Sequence, residues 1–280
     1  MSRVSSPPSA GRSEPREAAT RITSVTNPRV KWLVGLRRRS ARERDDVTVV
    51  EGYDELRLAL DVGMRPQSVY VCRDLMRADT WPLVEDVQAL GAEVIELGRE
   101  PFRKASYRDG PDGWLAVAPD PTRRIADVRL GKTPLVLVCE GIEKPGNLGA
   151  MLRTAEAAGV EAVIAASPVA DWANPNVVRA SRGTVFAVPV AAAPSDDVRR
   201  WLTDRGLTTV VATPDTDTLV ADVDLTGPVA VVVGSEHDGV DRSWLSAGIP
   251  ARLPMVGRVN SLNVATSAAL VLYEALRQRG

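Results

Sequence analysis

Three short stretches of this chain combine glycine with polar side chains that can bind or orient a ligand. They are "EKPGNLGAMLRT" (143–154), "GSEHDG" (234–239) and "PMVGRVNSLN" (254–263). Amide and hydroxyl groups donate and accept hydrogen bonds, and glycine lets the backbone approach a ligand closely. Each stretch taken alone also fits an ordinary helix cap or a turn. Whether the three stretches form one shared site therefore depends on how the fold places them.

Arg153 needs an explanation because it lies near the start of a helix that we predict over 148–158. A helix N-terminus carries partial positive charge, so a cation there costs about 0.3–1 kcal/mol. An ion pair with Glu156, three residues further on, would offset this cost. A bound phosphate would do the same. The residues themselves leave both explanations open.

The elements that must position these stretches alternate regularly from residue 134 onward. Continuous apolar strands interleaved with helices indicate a parallel sheet covered on both faces. In such sheets ligands bind beyond the carboxyl ends of the strands, where the polar stretches lie. We predict strands at "LVLVCE", "EAVIAAS", "VFAVPV", "TTVVAT", "VAVVVG" and "RLPM", and helices over 148–158, 195–205 and about 262–277.

The alternating helix and strand patterns of residues 21–118 predict a smaller α/β domain. Its elements are an amphipathic helix over 27–46, strands at "VTVVEG", "PQSVYVC" and "AEVIELG", and helices at "YDELRLALDVG" and "WPLVEDVQALG". Residues 1–20 are rich in Ser, Pro and Arg and predict a disordered tail. Residues 119–133 combine proline with charge and predict a linker to the second domain, 134–280.

A dense basic block precedes the first predicted strand. Residues 21–44 contain eight Lys or Arg but only one acidic residue, Glu43, in a chain whose net charge is −1. Such a block is typical of a surface that binds nucleic-acid phosphates, although a solvated helix face is the alternative. We predict RNA contacts for Arg29, Lys31, Arg37, Arg38 and Arg39, and also for Arg179 and Arg182 in "RASRGTVF".

Composition excludes several classes of protein. The chain is 44% hydrophobic and 25% charged, and no apolar run approaches the ~20 residues of a membrane span, which predicts a soluble protein. Cys72 and Cys139 lie in apolar, strand-like runs typical of reduced buried thiols, which predicts a cytoplasmic protein. The two cysteines, Cys72 and Cys139, and the single His237 are too few for a zinc cluster, so we predict no metal. Neither GxxxxGK[ST] nor GxGxxG occurs after a strand, which disfavours ATPases and dinucleotide oxidoreductases.

The three stretches, in this order, closely resemble the motifs of the SpoU (TrmH-like) branch of the SPOUT RNA methyltransferases over residues 135–277. The N-terminal unit resembles the ribosomal-protein-like substrate-binding domain found ahead of that catalytic domain. The matching residues are Asn147, Gly149, Arg153 and Thr154 in the first motif, Gly234, Ser235, Glu236 and Gly239 in the second, and Pro254, Met255, Ser261, Leu262 and Asn263 in the third.

This resemblance implies a ribose 2'-O-methyltransferase that uses S-adenosylmethionine on structured RNA. It also implies a mostly parallel sheet with a C-terminal trefoil knot, and a homodimer. By analogy we favour 23S rRNA over tRNA, with a possible link to antibiotic resistance. The alternatives are a tRNA 2'-O-methyltransferase and a non-catalytic RNA-binding or ribosome-assembly protein that retains the fold.

The resemblance also implies roles for individual residues. An arginine with a pKa above ~12 is a poor base, so we expect Arg153 to bind the target phosphate and lower the pKa of the ribose hydroxyl. His237 suits a base at neutral pH, but its position varies in the family. The implied catalytic residues are Arg153, Asn147, Glu236, Ser261 and Asn263, and the implied cofactor-binding residues are Thr213, Pro214, Gly234, Leu253, Met255 and Leu262.

Overall fold

The N-terminal part of the chain forms a four-stranded mixed sheet. The computed structural model describes residues 21–235, 238–259 and 261–280, so the predicted tail lies outside the described residues. In this sheet the strand order is β1-β4-β2-β3, with only β2 and β3 parallel. The elements are α1 (Pro28–Gly35), α2 (Arg39–Asp45), β1 (Val47–Glu51), α3 (Tyr53–Asp61), β2 (Ser68–Val71), α4 (Leu83–Ala89), β3 (Glu93–Glu96), α5 (Arg99–Ala105) and β4 (Trp114–Pro119).

The single helix predicted over 27–46 is wrong, because the structure has two helices there. Helix α1 ends at Gly35, the residue type that costs about 1 kcal/mol in a helix interior. Leu36 is fully buried, and Arg38 is extended with φ −84° and ψ 132°. The break turns Leu36 into the core. Helix α5 and strand β4, the central partner of β1 and β2, had no prediction.

The C-terminal part forms a seven-stranded sheet in which every strand pair is parallel. The strand order is β11-β9-β10-β6-β7-β8-β5. The elements are β5 (Thr122–Arg123), β6 (Leu135–Glu140), α6 (Pro145–Ala157), β7 (Ala162–Ala166), α7 (Pro175–Ala180), β8 (Val190–Ala193), α8 (Ser195–Asp204), β9 (Thr208–Ala212), β10 (Val229–Val233), α9 (Arg242–Ala247), β11 (Ile249–Ala251) and α10 (Val264–Arg279).

The predicted α/β class, with a parallel C-terminal sheet and a small N-terminal α/β part, is confirmed. Alternate residues of β6 belong to two different core clusters: Leu135, Leu137 and Cys139 to one, Val136 and Val138 to the other. Helices α6 and α10 contribute to the first cluster, whereas α8 and α9 contribute to the second. The sheet is therefore covered on both faces, as its apolar strands predicted.

Several predicted bounds differ from the structure. Helix α6 begins at Pro145, three residues earlier than predicted. The strands predicted at "VFAVPV" and "RLPM" lie instead at Val190–Ala193 and Ile249–Ala251. A short helix, α7, begins where only a polar loop was expected, with Asn174 as its N-cap. Part of the predicted linker forms β5, which pairs with β8 at the sheet edge.

Membrane-spanning helices and metal-binding groups were both sought in the fold. In the described part of the chain, no helix is both long and apolar enough to cross a membrane. Among the same residues, no group of three or more His, Cys, Asp or Glu side chains is placed to hold a metal ion.

Candidate active site

A cavity of about 610 Å³ opens beyond the carboxyl ends of β9, β10 and β11. Its size lies within the usual range for a small-molecule site. The loops that follow these three strands provide most of its wall. All six residues predicted to bind a cofactor line the cavity, namely Thr213, Pro214, Gly234, Leu253, Met255 and Leu262. Ser261 and Asn263 also line it.

The loop after β10 forms one wall of the cavity through a tight backbone turn. The amide of Ser235 donates to the carbonyl of Gly239 at 3.0 Å, and the amide of Gly239 donates back at 3.1 Å. A Cβ on Gly234 would collide with the Gly239 carbonyl, so this position requires glycine. Glu236 and His237, within the same turn, lie outside the described residues.

A buried carboxylate that we did not predict holds this loop in place. Glu140 ends β6 and is only 8% exposed. One of its oxygens accepts from the Asp241 amide at 3.0 Å, and the other accepts from the Ser195 hydroxyl at 3.0 Å. The sequence signal was a charged residue at the end of the apolar strand "LVLVCE", where burial without partners would be costly.

The loop before α10 brings the third motif against the first. Asn263 caps α10 because its side-chain oxygen accepts from the amides of Ala265 and Thr266 at 3.0 and 3.3 Å. Its side-chain nitrogen donates to the Asn147 side-chain oxygen at 3.3 Å. Two predicted catalytic residues, 116 positions apart in the sequence, therefore meet at the start of α6.

Arg153 lies in the third turn of α6 rather than at its start. Helix α6 begins at Pro145 and has 13 residues, so Asn147 lies within its first turn. The field of a helix terminus fades within one turn, so the predicted electrostatic cost at Arg153 is wrong. The Arg153 side chain is exposed. It makes no hydrogen bond or ion pair with any other described residue, and the alternative pair with Glu156 is not formed.

Helix α6 is held close to α7 at one glycine. A Cβ on Gly149 would lie 2.7 Å from the Ala180 carbonyl carbon and 2.7 Å from the Ser181 nitrogen. Real Cβ atoms do not approach so closely, so only glycine allows this contact. The contact fixes the position of α6 relative to α7, and therefore also the positions of Asn147 and Arg153.

Comparison with known proteins explains this combination of loops. Residues 134–273, half of the chain, match the family model described as "SpoU rRNA Methylase family". The chain belongs to the SpoU rRNA methylase family. Residues 27–116 match the model described as "MRM3-like substrate binding domain". These matches confirm the resemblance predicted from the three motifs and the predicted enzyme class, a methyltransferase.

Relatives of this SpoU protein match it along nearly its whole length. A 23S rRNA (uridine(2479)-2'-O)-methyltransferase of Streptomyces viridochromogenes is 29% identical, with 96% of each chain covered. A crystal structure described as an RNA 2'-O ribose methyltransferase is 40% identical, has a TM-score of 0.80 and covers 93% of this chain and 99% of its own. An AdoMet-bound rRNA methyltransferase from Sinorhizobium meliloti is 29% identical, with a TM-score of 0.84 and 92% and 97% coverage.

Most cations of the basic block in this SpoU chain already have partners. Arg29 pairs with Glu93 at 2.8 Å and Arg39 with Glu43 at 2.7 Å. Arg37 donates to the backbone carbonyls of Lys104 and Ser106. Of the five cations predicted to contact RNA in this block, only Lys31 and Arg38 have side chains that make no hydrogen bond or ion pair with another described residue.

The two other predicted RNA contacts lie at the end of α7. Arg179 donates to the Asn176 side chain at 3.1 Å, and Arg182 is exposed with φ +53°. Helix α7 packs directly on α6, the helix that carries Arg153.

The two cysteines of this SpoU chain are buried thiols. Both Cys72 and Cys139 are free, and burial raises the pKa of each thiol above its ordinary value. A thiol with a raised pKa is a poor nucleophile and a poor metal ligand.

Proposed function

We propose that this protein transfers a methyl group from S-adenosylmethionine to a ribose 2'-hydroxyl of 23S rRNA. The observation that carries this proposal is that the second and third SpoU motifs line one cavity, and that Asn263 of the third motif bonds Asn147 of the first, in the helix that carries Arg153. The RNA target is taken from the Streptomyces viridochromogenes relative, whose name gives 23S rRNA.

The residues that line the cavity fit S-adenosylmethionine. Leu253 and Leu262 offer apolar surface for an adenine ring, and the glycine turn at Gly234 leaves backbone groups accessible. Asp215 and Asp238 also line the cavity and can accept from hydroxyl and ammonium groups. When bound, the cofactor supplies an electrophilic methyl group on a sulfonium. We assign the six lining residues Thr213, Pro214, Gly234, Leu253, Met255 and Leu262 to its binding.

Arg153 is proposed to bind the phosphate next to the target ribose. Its side chain is exposed and makes no bond with other described residues, so its five donors remain available to RNA. A guanidinium stays charged at neutral pH and therefore does not act as a base. A fixed cation beside the ribose hydroxyl lowers the pKa of that hydroxyl, which favours its attack.

Asn147, Ser261 and Asn263 are proposed to orient the ribose. The bond between Asn263 and Asn147 fixes both amides, so they present donors and acceptors in a set geometry. Holding the hydroxyl in line with the methyl group removes much of the entropic barrier. We also assign Glu236 to this group, as the family motif implies.

We propose that the two parts of the chain have different functions. Residues 21–118 recognise RNA, in keeping with the substrate-binding model that matches 27–116, and residues 134–280 catalyse the transfer. Residues 119–133 connect these two parts of the chain.

We propose that the enzyme acts in the cytoplasm, where its RNA substrate is made. The trefoil knot that the family implies stays a prediction.

The protein is proposed to act as a homodimer through α10. Leu270 and Tyr273 on this helix are 47% and 51% exposed, and Leu276 is 40% exposed. Large apolar side chains grouped on one helix are typical of an interface rather than of a solvated surface. Helix α10 packs beside α6, the helix that carries Arg153.

The proposal is tested by methyl incorporation from labelled S-adenosylmethionine into 23S rRNA, followed by mapping of the modified ribose. We expect Arg153→Ala to lower the rate about 100-fold or more, because it removes an interaction with the reacting nucleotide. Cofactor binding, measured by calorimetry, should stay unchanged, since Arg153 does not line the cavity.

Arg200→Ala is the matched control, because Arg200 is also exposed but lies on α8, on the other face of the sheet. It should retain wild-type activity. A wild-type protein that binds RNA without methylating it would favour the non-catalytic alternative.

A further inference from the structure

Unpartnered polar atoms concentrate at one place in the N-terminal part of the molecule. Among the described residues, eight buried side-chain nitrogen or oxygen atoms have no hydrogen-bond partner, and five of them belong to Arg42, Glu51, Tyr107 and Arg108. Glu51, Tyr107 and Arg108 are neighbours, since Glu51 accepts from the Tyr107 amide at 2.8 Å and lies 3.8 Å from the Arg108 guanidinium. Native proteins leave few such atoms, so this group is unusual.

Two of these residues line a second cavity, of about 540 Å³. Its wall contains three guanidinium groups and one carboxylate. The residues are Arg37, Arg103, Ser106, Tyr107, Arg108, Asp109 and Pro111. The three guanidinium groups can only donate hydrogen bonds, so a ligand of this cavity must supply acceptors.

The guanidinium groups of this cavity differ in how firmly they are held. Arg108 is oriented by Asp112, 3.0 Å away, and by Glu51. Arg37 is fixed by its bonds to two backbone carbonyls and lies 5.7 Å from the centre of the Tyr107 ring. Arg103 has only a 3.8 Å pair with Glu100, and its side chain is 53% exposed. Arg103 is therefore the cation most available to an incoming anion.

Glu51, beside the cavity residue Arg108, ends strand β1, which packs against α7 of the C-terminal part. Burial raises the pKa of Glu51, and both Arg108 and Arg179 counteract this rise through their charge. The Glu51 carboxylate therefore lies within the field of a cavity arginine and of an arginine on α7.

We propose that the cavity formed by Arg37, Arg103, Tyr107 and Arg108 binds a backbone phosphate of the substrate RNA. This inference rests on the proposed function and adds an anchoring site remote from the reacting ribose. Planar guanidinium groups match phosphate geometry and form short, charge-assisted hydrogen bonds. A phosphate contact of this kind fixes the register of the RNA without reading its bases.

The test compares Arg103→Ala with Lys104→Ala in the full chain. Both residues are exposed and adjacent on α5, and each variant removes one positive charge, but only Arg103 lines the cavity. For a 23S rRNA fragment, we expect Arg103→Ala to weaken binding about tenfold, as for loss of a charge-assisted bond, and Lys104→Ala less than about twofold. The salt dependence of log K should flatten by about 0.7–0.9 in Arg103→Ala alone.

A second measurement does not depend on methylation. Titration with inorganic phosphate should shift the arginine side-chain NMR signals of Arg103 and Arg108 in the wild type, and should leave the Arg108 signal unshifted in Arg103→Ala. Equal losses in the two variants, or no loss in either, would overturn the phosphate site. Wild-type arginine signals that do not shift when phosphate is added would also overturn the phosphate site. That result would indicate that the cavity holds only water. If the wild type fails to methylate RNA, the proposed function fails, and the phosphate titration still decides this inference.

Discussion

At the scale of single residues, two glycines in the first turns of α6 show how differently the same residue type can matter. A Cβ at Gly149 would collide with Ala180 and the backbone of α7, whereas a Cβ at Gly146 would meet nothing within 4 Å. Gly149 is therefore required by packing. Gly146 has no such requirement in the described structure.

We expect Gly149→Ala to lower the free energy of unfolding by about 1–3 kcal/mol, because α6 and α7 must move apart. The same shift displaces Asn147 and Arg153, so methyl transfer should also fall. Gly146→Ala should be neutral or stabilising by up to about 1 kcal/mol, since alanine is the better helix former. Urea unfolding of both variants measures the difference. Equal stabilities would show that the α6–α7 contact can relax.

The first residue of α6 explains why the sequence prediction placed Arg153 too close to the start of the helix. Capping residues such as Asn147 suggested a helix that starts after them, but proline is favoured in the first turn, and α6 starts at Pro145. The arginine therefore lies beyond the reach of the helix terminus. Its exposure, without a partner among the described residues, is what leaves it available to RNA.

At the scale of elements, α2 is joined to the loop before α7 by a buried ion pair. The Arg42 side chain is 3% exposed and donates to both oxygens of Asp171, at 3.0 and 3.2 Å. Beside it, the buried Thr48 hydroxyl donates to the Ala173 carbonyl at 2.7 Å. Arg42 belongs to the basic block, yet its charge is used within the molecule. It holds the N-terminal part against α7.

Asp171→Asn should destabilise the protein by about 3 kcal/mol, because it leaves the buried Arg42 cation without an anion. The lower end of the usual range applies, since Asp171 is 19% exposed. Asp86→Asn, which breaks the exposed pair with Arg57, is the control and should cost less than about 1 kcal/mol. Denaturant unfolding of both variants is the measurement. A cost at Asp171 no greater than at Asp86 would contradict a clamping role.

At the scale of the whole molecule, the exposed apolar face of α10 bears on assembly. Leu270→Glu should convert the proposed dimer into monomers, because burying a charge in an apolar interface without a partner is unfavourable. Leu90→Glu, at an exposed leucine of the N-terminal part, should leave the assembly unchanged. Light scattering coupled to size-exclusion chromatography reads the mass. A wild-type protein that is monomeric at micromolar concentration would refute the dimer.

Much of the fold followed from the sequence because its signals are local. The apolar runs of β6 and β10 and the amphipathic pattern of α8 predicted those elements within a residue or two. Strand β5 and helix α7 were not predicted, since the first has only two residues and the second only six. Elements this short owe their conformation to neighbours, β8 and α6 respectively, rather than to their own pattern.

The amino-acid sequence by itself determined the alternation of strands and helices and the presence of three polar stretches, because burial patterns and turn residues act over a few positions. Only the tertiary structure decided which side chains meet. Asn147 contacts Asn263 because α6 and α10 pack on the same face of the sheet, and Glu140 reaches Asp241 because β6 and β10 are paired. Strand order and helix packing depend on the whole core, and no local pattern encodes them.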